Sequence, residues 1–170
     1  MKETLLNLRG IMPPDYRYLL RAKDIAKKES TFSHPWNRSS EIAYTHMSRE
    51  AGLKRSGVSL MRVAPGKESL AYHLHHREEE WIYILSGRGI ALIDGVECEM
   101  APGDFVGFPA PSVAHNLANP FDEELVYLSG GEHREHEVAD FPELGKRMVR
   151  MGEKVTVYDL ADGQAMFDDD

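Results

Sequence analysis

The sequence predicts an all-β fold, an antiparallel barrel or sandwich, and three observations predict it. From about Ser56 onward the chain is a succession of short β-prone runs. Turn residues stand between most of them: Pro65-Gly66, Gly87-Arg88-Gly89, Asp94-Gly95 and Pro102-Gly103. No βαβ rhythm interrupts the series, so the sheets are expected to be antiparallel.

The elements follow in order. Among the first 50 residues, Met12-Pro13-Pro14-Asp15 breaks the chain, "RYLLRAKDIAKKE" predicts a strand running into a short helix, and "FSHPWNRSS" reads as loop. Eight runs then predict eight strands: "SGVSLMRVA", "SLAYHLH", "EEWIYILS", "GIALID", "VECEM", "DFVGFP", "SVAHNLAN" and "ELVYLSG". Asp94-Gly95 between alternating runs is a strong hairpin signal, because both residues tolerate the left-handed backbone of a two-residue turn. In "FPELGKRMVRMG", Leu144, Met148 and Met151 fall at the spacing of one helix face, which predicts a short C-terminal helix stopped by Gly152. "KVTVYDL" predicts a last strand. One domain is expected, with residues 1–55 as an N-terminal extension packing on the barrel or a partner, 56–131 as the barrel, and 132–170 as helix, strand and acidic tail.

Composition narrows the function. The 170 residues are 42% apolar and 28% charged, with a net charge of −8. That is ordinary for a globular protein, and the acidic balance argues against nucleic acid as a partner. No apolar stretch approaches the roughly 18 residues that span a bilayer, and "MKETLLNLRG" does not read as a signal peptide. The expectation is a cytoplasmic protein with neither nucleic acid nor membrane as partner. The single cysteine, Cys98, excludes an intramolecular disulfide and a multi-cysteine metal site, and its place in "VECEM" predicts a packed thiol.

The chemistry concentrates in "AYHLHHREEEWIYILSG" (residues 71–87). In a strand, residues two apart share a face, so His73 and His75 are expected to point the same way. Glu80 opens the next run; antiparallel pairing of the two runs would return it to the histidines. A further histidine, His115, stands in a strand of its own. Imidazoles and a carboxylate converging inside a barrel form a transition-metal site: imidazole suits Zn, Cu, Fe and Ni, and the carboxylate adds a hard oxygen. The bland reading is a solvated strand end, with "HHREEE" as a salt-bridged surface turn. His34, His46 and the pair His133 and His136 read as surface.

The run Gly66-x6-His73-x-His75-x4-Glu80-x6-Gly87 resembles the first signature of the cupin superfamily, and Gly103-x5-Pro109-x5-His115-x3-Asn119 resembles the second. They stand 15 residues apart, as in compact microbial members. The first spacer is one residue longer than usual, and Pro111 departs from the second pattern; neither displaces a ligand position. The resemblance implies a cupin jelly roll, the double-stranded β-helix, with His73, His75, Glu80 and His115 as ligands to one divalent transition metal such as Zn, Ni, Mn or Fe. Glu80 is preferred to Glu78 and Glu79 because six residues separate it from Gly87. His76, Arg77, Glu78 and Glu79 are then expected to be solvated turn residues.

The sequence is similar to small single-domain cupins, some of them labelled sugar-phosphate isomerases. That similarity implies a metalloenzyme of isomerase, lyase or dioxygenase type acting on a small oxygenated metabolite, and a homodimer. The alternative is a non-catalytic module that binds a metal or small ligand. Tyr72 is the candidate for proton transfer, and Asn119 reads as a turn residue beside a ligand position. Arg62, Lys67 and Arg88 are the basic residues available for a phosphate.

Overall fold

The structure is a computed structural model and describes residues 18–164. The break at Pro13-Pro14 and the Asp168–Asp170 tail lie outside the described residues. Two short helices, α1 (Ala22–Lys27) and α2 (Met47–Glu50), flank the strands β1 (Ser30–Phe32) and β2 (Ile42–Thr45). The barrel strands are β3 (Ser56–Val63), β4 (Lys67–Glu68), β5 (Leu74–His75), β6 (Glu80–Ser86), β7 (Gly89–Ile93), β8 (Val96–Met100), β9 (Phe105–Phe108), β10 (His115–Asn119) and β11 (Leu125–Glu132). A C-terminal series follows: β12 (His136–Phe141), β13 (Lys146–Met151) and β14 (Lys154–Asp159).

These strands form three antiparallel sheets, ordered β1-β2-β3-β11-β6-β9, β4-β10-β7-β8 and β14-β13-β12-β5. The first two supply facing layers of the core. Ile42, Val63, Ile82, Ile84, Leu125 and Tyr127 come from the six-stranded sheet and meet Ala91 and Leu117 from the four-stranded one. Alternation explains the choice: in β6, Ile82 and Ile84 are buried while Tyr83 and Leu85 are exposed. Asp94 and Gly95 both have positive φ, at 49° and 77°, and join β7 to β8 as the expected two-residue hairpin. Gly130 is required by close approach, because a Cβ there would lie 2.2 Å from the Trp81 ring.

Several expectations are corrected. The short C-terminal helix is absent: Pro142–Leu144 is a single 3-10 turn, and Lys146–Met151 is strand β13. Methionines at helical spacing were the only local cue, whereas β13 has a strand on each side to take its backbone hydrogen bonds. Gly152, the expected helix stop, instead has φ 61° between β13 and β14. The run "SLAYHLH" is not one strand but β5 plus an isolated bridge between His73 and His115. Of "RYLLRAKDIAKKE", the described part carries the helix, and its strand follows rather than precedes it. Within the N-terminal extension, strand β2 pairs with β3 of the barrel. Cys98 is exposed rather than packed, because β8 is an edge strand and only its Met100 is buried.

Candidate metal centre

The histidines are brought together by backbone pairing. His73 and His115 exchange main-chain hydrogen bonds, His73 N to His115 O at 3.1 Å and His115 N to His73 O at 2.8 Å. Residues directly opposed in this way point to one face, and the two rings stand 4.8 Å apart. His75 is held from two directions. Its N–H donates to the Ser112 hydroxyl at 2.8 Å, its C=O accepts from Ser112 N at 2.7 Å, and β5 pairs with β12 through His75 and Ala139.

Glu80 arrives by a different route from the one expected. Strand β6 does not pair with β5; its neighbours are β11 and β9. Glu80 therefore reaches the histidines across the barrel interior, from the opposite sheet. Its partner on β9 is Phe108, whose ring stacks on His115 at 3.6 Å. His73, His75, Glu80 and His115 thus gather in the gap between sheets, with their ligating atoms all within 4.8 Å of one another.

The geometry centres on one oxygen. Glu80 Oε2 lies 3.2 Å from His75 Nε2, 3.2 Å from His115 Nε2 and 3.8 Å from His73 Nε2. Its other oxygen accepts from the Ser129 hydroxyl at 3.2 Å. Burial pushes the Glu80 carboxyl up, but hydrogen bonds from the imidazoles of His115, His73 and His75 outweigh it and hold the group well below the usual carboxylate range. For His75, burial pushes the imidazole down, and the hydrogen bond and charge of Glu80, aided by Glu137 and Glu78, raise it above its ordinary value.

The outer nitrogens complete the arrangement. His73 Nδ1 lies 2.9 Å from Ala71 O, and His115 Nδ1 lies 3.0 Å from Val113 O. A carbonyl can only accept, so each Nδ1 carries a hydrogen and each Nε2 is the nitrogen left facing the cluster, where it would offer its lone pair to a cation in place of its contact with Glu80. Paired with an ionised carboxylate, that donor set fits a divalent transition metal.

Other candidates are not brought to the cluster. The Tyr72 hydroxyl accepts from Gly95 N at 3.0 Å. It lines a separate cavity of about 360 Å³ with Trp36, Ile90, Leu92 and Asn116, on the outward side of the four-stranded sheet. Arg62 pairs with Glu29 and Glu124, Lys67 with Glu41, and Arg88 with Glu99 and Glu123, so none of the three faces the barrel interior. Asn119 is buried and structural, its amide donating to Val63 O and Glu123 O. His46, His133 and His136 are exposed as expected, while His34 is half-buried against Trp36 and Phe141.

Two acidic residues were not legible in advance. Glu78, expected to be solvated, is buried in an ion pair with Arg150. Glu137 is 1% exposed, and its Oε1 stands 3.4 Å from His75 Nδ1. The available signal was in "HEVADF", where Glu137 shares the alternating inward face of Ala139 and Phe141.

A model of the cupin domain matches residues 59–139, the stretch that holds all four cluster residues. A protein of known structure from Acidithiobacillus ferrooxidans, named a "putative sugar phosphate isomerase", is 36% identical; the match covers 89% of this chain and 98% of that one, with a TM-score of 0.84. The chain belongs to the cupin family.

More distant structures share the fold alone. A sugar phosphate isomerase of the cupin superfamily from Silicibacter pomeroyi is 22% identical, with a TM-score of 0.72 over 81% of this chain and 89% of that one. A "predicted oxalate decarboxylase" from Thermotoga maritima is 21% identical, with a TM-score of 0.58 over 68% of this chain and 99% of that one. No curated protein matches the sequence significantly. Among the described residues no helix is long and apolar enough to cross a membrane.

Proposed function

We propose that this cupin is a metalloenzyme in which His73, His75, Glu80 and His115 hold one divalent transition metal and a small oxygenated metabolite is isomerised. The observation that carries the reading is the convergence of three imidazole Nε2 atoms on one ionised carboxylate oxygen inside the barrel. A sugar phosphate is the substrate class favoured by the name of the 36%-identical relative.

When bound, the metal would polarise a substrate carbonyl or enediolate oxygen as a Lewis acid. The chain's own residues prepare for that. Ala71 O and Val113 O fix two ring orientations, so little reorganisation accompanies loading. Phe108 covers one face of the His115 ring, and Phe141 stacks on His73 at 6.0 Å. Behind Glu80, burial pushes the Tyr127 hydroxyl well up, as does the Glu80 charge, so Tyr127 stays a neutral donor at physiological pH. With Arg62, Lys67 and Arg88 engaged in surface ion pairs, any phosphate contact falls to other residues.

The test is elemental analysis of untagged protein, followed by a panel of sugar phosphates, 2-oxo acids, hydroxy acids and catechols with the metal-loaded protein. Isomerisation of a sugar phosphate that disappears in His115→Ala supports the reading. Oxygen uptake with an iron-loaded protein would move it to a dioxygenase. Saturable binding with no turnover across the panel would move it to a binding module. We also propose a homodimer, as small cupins commonly form; a 19.2 kDa particle in light scattering at micromolar concentration would refute it.

A further inference from the structure

Three imidazoles of the cluster need their outer nitrogens held, and they are not held alike. His73 and His115 each use the carbonyl two residues before them. For His75 the equivalent carbonyl is that of His73, which already accepts from His115 N at 2.8 Å. The group standing at the outer nitrogen of His75 is instead Glu137 Oε1, at 3.4 Å.

Glu137 is unusual in its own right. Strand β12 places it on the inward face, opposite Arg150 of β13. Arg150 gives its Nη2 to Glu78 and to Arg134 O. Glu137 Oε1 also accepts from His76 N at 3.1 Å and Arg77 N at 3.3 Å. Its Oε2 makes no hydrogen bond among the described residues. Burying a carboxylate is expensive unless the charge is used. Two amide hydrogens alone do not need an anion, since a neutral carboxamide accepts from them equally.

We propose that Glu137 is a positioning residue for the metal centre, holding His75 as the Nδ1-protonated tautomer that presents Nε2 to the metal. The inference rests on the metal reading above and adds a residue outside the four ligands. At 3.4 Å the contact is too long to count as a hydrogen bond, and among the described residues His75 Nδ1 has no hydrogen-bond partner. A cation at Nε2 makes Nδ1–H a stronger donor, so metal loading would strengthen the contact.

Two measurements test it. The first is Zn2+ affinity by competition with a chromophoric chelator, for wild type, Glu137→Gln, His75→Ala and the double variant. Glutamine keeps an acceptor for His76 N and Arg77 N but removes the negative charge facing His75 Nδ1, so Glu137→Gln should melt close to wild type without metal, yet bind Zn2+ about 10- to 100-fold more weakly. In the His75→Ala background the same change should have almost no effect on affinity. Unchanged affinity in Glu137→Gln, or an equal loss with and without His75, overturns the proposal.

The second measurement is the imidazole 1H–15N spectrum of the Zn2+-loaded protein, for wild type and Glu137→Gln. With Nε2 given to the metal, the His75 Nδ1–H resonance should be shifted downfield by the carboxylate in wild type and lose that shift in Glu137→Gln; an identical resonance in both overturns the assignment. Wild type that takes up no Zn2+ and no other divalent metal would sink the metal reading instead.

Discussion

The two ends of the barrel interior are built on opposite terms. At one end Ile82, Ile84, Leu117 and Leu125 meet between the sheets with almost no exposure, and each buried side chain of this kind contributes about 1.5–3 kcal/mol. At the other end the same two sheets contribute His115 and Glu80, joined by His73 and His75 and backed by Glu137. Polar groups there lose water and recover it only through hydrogen bonds to one another. The polar end presents the donor set that the proposed divalent cation would take, on a wall that the apolar end packs.

The largest effect that would break this contrast is at the apolar end. Ile84→Ala should cost about 2–5 kcal/mol in denaturant unfolding while leaving metal stoichiometry at one per folded chain. Equal loss of metal in the folded fraction would mean that the two ends are not separable.

Next comes the polar end. Zn2+ at about a thousand times its dissociation constant should stabilise wild type by about 4 kcal/mol. In His115→Ala and Glu80→Ala that gain should largely vanish, read as melting temperature with metal and with chelator. A full metal-dependent rise in both variants would remove the ligand assignment.

A smaller, pH-linked effect sits outside both ends. Hydrogen bonds from Arg147 lower the Asp140 carboxyl from 3.8 to about 2, with a further contribution from His76 and against a modest opposing effect of burial. A depressed folded-state value contributes stability that is complete above the ordinary carboxylate range and lost as pH falls toward 2. Asp140→Asn should therefore melt below wild type at neutral pH, and the gap should close between pH 4 and 2. A constant gap across that range would show that the pairing is not the cause.

The smallest effect expected is at Cys98. Because it is exposed on edge strand β8, a thiol reagent should label it in the native protein, and Cys98→Ser should shift stability by no more than about 0.5 kcal/mol. Protection from the reagent would indicate that something covers this edge in solution.

The sequence by itself determined the strands whose cues are local. Turn chemistry at Asp94-Gly95 and alternation through "EEWIYILS" and "VECEM" mark strands because the pleat has period two, whatever lies beyond it. The two runs that resemble the cupin signatures marked His73, His75, Glu80 and His115 as a set, where the spacing of the histidines by itself left a solvated strand end open.

Tertiary structure alone decided which elements meet. Glu80 joins the histidines from the facing sheet and not through a hairpin, because β6 finds its partners in β11 and β9. Residues Lys146–Met151 become a strand and not a helix, because β12 and β14 offer backbone partners on both sides. Glu137 comes to stand behind His75, 62 positions earlier in the chain, because β5 pairs with β12. Pairings of that kind depend on contacts distant in sequence, and local propensity carries no record of them.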